Sequence, residues 1–201
     1  MFYHALGLAV PDPIAPEGIR TRSEDRAQAS ELLSRGWPGE RPIVAMHAGA
    51  VWEFRRWPVA RFTKVTQDLE ERGFSVVLVG GPNDRDVSAA VVEGSGLRAE
   101  RNLAGKADLP VTAAVLERVS AVVANDGGVM HLAAAQGTPV VGLFGPQTPK
   151  WFAPIGEVSR VLYEKRDCSP CSQRHCVWHR ARCLEAIETD RVLETVLEIA
   201  R

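Results

Sequence analysis

From Pro42 onward, short apolar segments alternate with longer amphipathic ones, and this alternation restricts the fold more than any other feature. Apolar runs at 43–47, 75–79, 121–124 and 139–144 predict buried strands, with a weaker strand near Asn102. Helical patterns follow at 58–71, 84–93, 111–119, 129–136 and 189–200. Strands that alternate with helices form βαβ units, so we predict an α/β fold, a Rossmann-like parallel sheet flanked by helices.

The first forty residues have a different character. Residues 10–18 are rich in proline, and residues 23–33 predict an amphipathic helix with Ser23 as its N-cap. We therefore expect residues 1–40 to form a linker and residues 41–201 to form the folded domain.

Composition excludes several classes of protein. Of 201 residues, 45% are apolar and 24% charged, as in a globular domain rather than a disordered chain. The net charge of −1 argues against a broad surface that binds nucleic acid.

The longest stretch without a charged side chain, 127–149, is interrupted by glycine and proline, so no transmembrane segment is expected. The amino terminus is a poor signal peptide, and we expect a cytoplasmic protein.

Ligands of open parallel sheets bind at the carboxyl ends of the strands. Four predicted strand ends carry glycine: 47–50, 80–84, 125–128 and 144–146. Glycine allows backbone N–H groups to approach a phosphate closely, although it also occurs in turns without a ligand. Neither G-x-G-x-x-G nor a P-loop is present, which disfavours ordinary dinucleotide and P-loop sites.

Seven motifs occur in a fixed order, and together they are more specific than any one alone. They are His47-Ala-Gly-Ala, Arg55-Arg56-Trp57-Pro58 with Arg61-Phe62, Val77–Pro82, Asn102–Lys106, Asn125–Ala135, Gly137-Thr-Pro and Leu143–Pro146. The set resembles the C-terminal half of glycosyltransferase family 9, the ADP-heptose:lipopolysaccharide heptosyltransferases, over about residues 40 to 200. The block from Asp126 to Pro146 is its most specific part.

The resemblance implies the C-terminal domain of a GT-B fold, which binds the nucleotide-sugar donor. An N-terminal domain, of which residues 1–10 resemble the tail, would bind the lipopolysaccharide core acceptor and carry the catalytic base. The implied activity is transfer of a sugar, heptose, from an ADP-sugar, with this chain supplying the donor-binding half and inactive alone. No cofactor is implied for catalysis, and no catalytic residue is assigned here. Peripheral contact with the inner membrane stays open.

The resemblance also implies a set of donor-binding residues. Asp126 would bind sugar hydroxyls, although an N-cap role alone is the alternative. Arg55, which stands where the family usually has lysine, would face the diphosphate with Arg56; solvated surface arginines are the alternative. Asp84 would contact ribose or be an ordinary first-turn aspartate. The full set is Gly49, Ala50, Arg55, Arg56, Asp84, Lys106, Asp126, Gly127, Gly128 and His131.

A cysteine-rich insert is expected at 167–184. Cys168, Cys171, Cys176 and Cys183 lie within sixteen residues of one another. The spacing fits no standard zinc finger, so structural zinc, an iron–sulfur cluster and paired thiols all remain open, without a catalytic role.

Two other functions remain open at this stage. A nucleotide-sugar 2-epimerase would use the same GT-B architecture, and a non-catalytic fragment would bind nucleotide or simply fold.

Overall fold

The computed structural model describes residues 18–35, 40–171 and 175–200. Expectations for residues 1–17, including the proline-rich segment and the resemblance of residues 1–10, lie outside this part. The helices are α1 (Ser23–Ser34), α2 (Val59–Glu71), α3 (Arg85–Ser95), α4 (Leu109–Leu116), α5 (Gly128–Ala135), α6 (Pro149–Phe152), α7 (Arg182–Glu185) and α8 (Thr189–Ile199). The strands are β1 (Ile43–His47), β2 (Ser75–Leu78), β3 (Ala121–Asn125), β4 (Val140–Phe144) and β5 (Arg160–Tyr163).

The five strands form one sheet in the order β2-β1-β3-β4-β5. All four pairings are parallel. Beyond β2, Asn102 makes an isolated parallel bridge to Leu78. The chain first builds outward from β1 to β2 and then returns to the other side of β1, so the direction of winding reverses between β1 and β3. The predicted α/β Rossmann-like fold is confirmed.

Both faces of the sheet are buried, which explains why its strands are apolar at successive positions rather than alternating with polar residues. Val44, Met46 and Val123 belong to the core on the side of α2 and α8. Their neighbours Ala45 and Val122 belong to the opposite core, with α1, α4 and α5. Successive side chains of a strand point to opposite faces, so each strand contributes to both cores.

Several element boundaries differ from the sequence prediction. The strand expected near Asn102 is only a single bridge, and β5 was not predicted. Helix α1 begins after Arg22 rather than after Ser23, because the Asp25 carboxylate accepts the Arg22 backbone N–H at 2.8 Å. Helix α5 ends at Ala135, one residue before the predicted limit of 136, and Gly137 follows its last turn at φ +79°.

Helix α1 packs into the fold although it precedes residue 41. Ala29 and Leu33 are buried in the core that contains α4. Thr21 donates a hydrogen bond to Glu117 at 2.9 Å, just after α4 ends. The linker boundary proposed at residue 40 stays a prediction, but this helix covers one face of the sheet.

Candidate functional site

The carboxyl ends of β1, β2 and β3 form a rim, which we define as residues 47–58, 80–84 and 125–128. Asn125, fully buried at the end of β3, holds it together. Its Oδ1 accepts the Trp57 backbone N–H at 2.9 Å, and its Nδ2 donates to the carbonyls of Ala48 and Gly49 at 3.0 and 3.1 Å. One side chain therefore fixes both ends of the loop that follows β1.

Asp84 joins the end of β2 to the end of β1. Its Oδ2 accepts the Gly81 N–H at 2.8 Å and lies 3.3 Å from Nε2 of buried His47. The hydrogen bond with His47 holds the pKa of the Asp84 carboxyl below its ordinary value, against the opposing effect of burial. A Cβ on Gly49 would lie 1.9 Å from Asp84 Oδ1, so the absence of a side chain there is what lets the carboxylate fit.

Arg55 and Asp126 form an ion pair across the rim. The Asp126 side chain is 5% exposed and the Arg55 side chain 20%. The structure therefore brings together two residues that the resemblance assigned to the same donor site, with the guanidinium in contact with the carboxylate.

Open space lies beside the N-terminus of α5. A Cβ on Gly128 would meet no heavy atom within 4 Å, and one on Gly127 would approach only Asn125 O at 3.7 Å and His47 Cε1 at 3.9 Å. Helix N-termini present unpaired N–H groups and a partial positive charge, which favour phosphate. His131 is exposed one turn later on the same helix. This corner of the rim has both the room and the polarity for an anion.

Other expected residues take supporting positions. The Arg56 guanidinium donates twice to the Ala50 carbonyl, at 3.0 and 2.9 Å, and so braces the loop after β1. The Lys106 ammonium donates to the carbonyl of Ala99, a residue outside the rim, at 3.4 Å. Its loop nevertheless adjoins β2, because Gly105 N–H donates to the Gly80 carbonyl at 2.9 Å.

Sequence reasoning assigned no role to Asn125, His47 or Trp57. Trp57 is buried, and its Nε1–H donates to the Ile187 carbonyl at 3.1 Å, which ties the rim to the turn before α8. The sequence feature that could have identified Asn125 and His47 is a polar side chain at the end of an otherwise apolar strand. Such residues are buried only when they are hydrogen-bonded.

The cysteines lie on the segment 166–185. Part of this segment, residues 179–181 and Glu185, shares a cavity of about 330 Å³ with rim residues that include Glu53, Phe54 and Arg56. Cys168, Cys176 and Cys183 line a cavity of about 530 Å³ together with Trp178 and Arg182. Within residues 18–35, 40–171 and 175–200, no group of three or more His, Cys, Asp or Glu side chains is arranged to hold a metal ion. The structure therefore lends no support to the zinc or iron–sulfur site expected at Cys168, Cys171, Cys176 and Cys183.

Membrane insertion through a helix finds no support in the described part of the chain. None of its helices combines the length and the apolar character needed to cross a bilayer.

Comparison with known proteins places this geometry in context. The lipopolysaccharide heptosyltransferase 2 of Escherichia coli K12 is 33% identical over 159 residues, which cover 76% of this chain and 44% of that protein. The solved E. coli ADP-heptose LPS heptosyltransferase II superposes with a TM-score of 0.77 at 25% identity, over 95% of this chain and 55% of that one. A family 9 glycosyltransferase from Veillonella parvula superposes with a TM-score of 0.83 at 27% identity. The match covers 100% of this chain and 59% of that one.

The chain spans about half the length of the curated relatives it matches, 44% and 49% in two cases. The family model described as glycosyltransferase family 9 (heptosyltransferase) matches residues 1–181, which include the whole rim. With its Rossmann-like sheet and the expected motifs at the strand ends, this chain belongs to glycosyltransferase family 9.

Proposed function

We propose that this chain is the donor-binding half of a heptosyltransferase that moves heptose from ADP-heptose to a lipopolysaccharide core sugar. One observation carries the proposal: a buried carboxylate and a guanidinium lie together beside the open N-terminus of an eight-residue helix. They stand at the point where the sheet reverses its winding, which is where α/β sheets bind ligands. Family membership and the activities of its relatives support the same assignment.

Each part of the rim has a chemical task in this proposal. The N–H groups at Gly127 and Gly128 bind the diphosphate, and Arg55 and His131 add donors to it. Asp126 accepts hydrogen bonds from hydroxyls of the sugar. Arg56 and Ala50 keep the preceding loop in place, and the loop that carries Lys106 borders the nucleobase.

Asp84 takes a positioning role in this proposal rather than the ribose contact implied by resemblance. Its carboxylate is already occupied by the Gly81 N–H and by His47, and it fills the space above Gly49. It therefore holds the loops after β1 and β2 at a fixed separation.

The proposed transfer is a displacement at the anomeric carbon. An acceptor hydroxyl forms the new C–O bond while the bond from that carbon to the β-phosphate oxygen breaks, and ADP leaves with the electron pair. The acceptor proton passes to a base that we assign to no residue of this chain. The cation of Arg55 and the N–H groups at Gly127 and Gly128 stabilise the charge that grows on ADP, so the step needs no cofactor.

Binding and thermal unfolding test the proposal on the purified chain. ADP-heptose at about one hundred times its Kd is expected to raise the stability by about 2.7 kcal/mol and the melting temperature by about 5–10 °C. ADP is expected to act in the same direction, and UDP-sugars are not. Preferential stabilisation by a UDP-sugar contradicts the proposal and favours an epimerase, while no response to any nucleotide favours a non-catalytic fragment.

A structural metal at the four cysteines remains a separate proposal with its own test. Metal analysis of protein purified under reducing conditions is then expected to find about one equivalent of zinc, or about two or four equivalents of iron for an iron–sulfur cluster. Absence of both metals removes it without affecting the assignment of the rim.

A further inference from the structure

Two groups that the proposed function assigns to different parts of the donor neutralise each other in the structure. Arg55 Nη2 is paired with Asp126 Oδ2. Among the described residues, neither Asp126 Oδ2 nor Arg55 Nε makes a hydrogen bond of good geometry, and both atoms are buried. The charge of the buried Asp126 carboxylate therefore depends on Arg55 for compensation.

A buried charge that loses its partner is strongly unfavourable, because desolvation is no longer offset by attraction. A nucleoside diphosphate offers negative oxygens to Arg55 but nothing to Asp126. If the guanidinium turns to the phosphate, the Asp126 carboxylate remains buried beside a ligand of the same charge. A nucleotide-sugar differs because its hydroxyls donate hydrogen bonds to the carboxylate, so both members of the pair exchange one partner for another.

We propose that the Arg55–Asp126 pair makes the site selective for the intact nucleotide-sugar over the free nucleoside diphosphate. The inference rests on the proposed function and extends it to the end of the reaction. Once the sugar has left with the acceptor, the hydroxyls that satisfied Asp126 are gone and the β-phosphate has gained charge. Asp126 then competes with ADP for Arg55, and the competition favours release of the product.

The Asp126→Asn variant separates this role from simple contact with the sugar. The amide has the shape of the carboxylate but no charge, so Arg55 is free to bind phosphate. We expect the Kd of ADP to fall by about tenfold, the change that corresponds to roughly 1.4 kcal/mol, while the affinity for ADP-heptose falls. Calorimetric titration of each variant with ADP and with ADP-heptose measures the ratio of the two Kd values. The matched control is Glu198→Gln, which removes an exposed carboxylate paired with Arg160 outside the rim and is expected to change neither Kd.

A second measurement needs no variant. On the unmodified chain, free heptose at high concentration is expected to lower the Kd of ADP, because its hydroxyls satisfy Asp126 while ADP holds Arg55. Asp126→Asn is expected to abolish this effect.

The results of these titrations separate the selectivity role of the Arg55–Asp126 pair from the proposed donor-binding function. An ADP affinity that is unchanged or weakened in Asp126→Asn, or one that does not respond to heptose in the unmodified chain, overturns the selectivity role and leaves the proposed function intact. Failure of the unmodified chain to bind either ADP or ADP-heptose overturns the proposed function and the inference with it.

Discussion

The rim and the cysteine segment at 166–185 both follow strands of one sheet, but they are built differently. In the rim, Asn125 and Asp84 hydrogen-bond to residues far away in sequence. The Asn125 side chain is fully buried and the Asp84 side chain is 16% exposed. In the cysteine segment, Val177 is 73% exposed and Trp178 is 55% exposed, and Cys176 hydrogen-bonds only four residues away, to the Arg180 carbonyl. The rim is thus organised by the fold, whereas much of the cysteine segment is organised by local turns.

This difference indicates where a ligand finds a prearranged site. Groups fixed by several elements lose little freedom when they bind, which favours affinity and orientation. The large cavity beside the cysteines is lined by exposed and half-buried residues, whereas the open corner at Gly128 lies beside groups that several elements hold in place. Cavity size alone would direct attention to the cysteine segment rather than to the rim.

The largest effect that tests this comparison is expected from Asn125→Ala. The substitution leaves the Trp57 N–H and two carbonyls without their partner inside the protein. With about 1–3 kcal/mol for a buried unsatisfied group, we expect a loss of about 3 kcal/mol in the free energy of unfolding. Urea denaturation measures it.

Cys168→Ser is the counterpart in the cysteine segment, because Cys168 is exposed. It is expected to change the free energy of unfolding by less than about 0.5 kcal/mol. Similar losses in the two variants would mean that the rim is no more tightly organised than the cysteine segment.

A smaller and pH-dependent effect is expected at Asp84. Because its pKa is lower in the folded protein than its ordinary value of 3.8, its stabilising contribution is complete above that value and is lost as pH falls through the folded pKa. Asp84→Asn should be less stable than the unmodified chain by about 1 kcal/mol at pH 7. The difference should shrink below about pH 4.

Thermal unfolding between pH 3 and 7 checks this sign, with Asp190→Asn as the control, an exposed aspartate in the first turn of α8. His47, the last residue of β1, and Arg56, on the loop that follows it, both act to lower the pKa of Asp84. A difference that grows toward acid pH would contradict the role of the carboxylate as the ionised partner of His47.

The sequence predicted the fold well because burial of both faces of a parallel sheet leaves a direct pattern of apolar runs. The family resemblance implied that Arg55 and Asp126 belong to one site, and the structure brings them together because β1 and β3 are adjacent in the sheet. The sequence did not predict that these residues pair with each other, because that depends on side-chain packing across the rim. Strand β5 was missed because Arg160 and Tyr163 interrupt its apolar pattern at the edge of the sheet.

Thiol reactivity gives the mildest test of the comparison, since it asks whether the cysteine segment is uniform. Burial raises the pKa of the Cys183 thiol above its ordinary value of 9.0, and the sulfurs of Cys171 and Cys176 act in the same direction. Its sulfur also faces Gly145, where a Cβ would lie only 2.9 Å away. Because the thiolate is the reactive form, Cys183 should be alkylated more slowly than exposed Cys168, by about tenfold at pH 8.

Timed iodoacetamide labelling followed by peptide mass spectrometry measures both rates, and labelling in urea should make them nearly equal. The Cys183 rate should continue to rise as the pH passes 9, because more of its thiol ionises there. Equal rates in the folded chain would mean that the whole segment is as open as Cys168. Joint protection of all four thiols, relieved by a chelator, would instead mean that a metal organises this segment as Asn125 and Asp84 organise the rim.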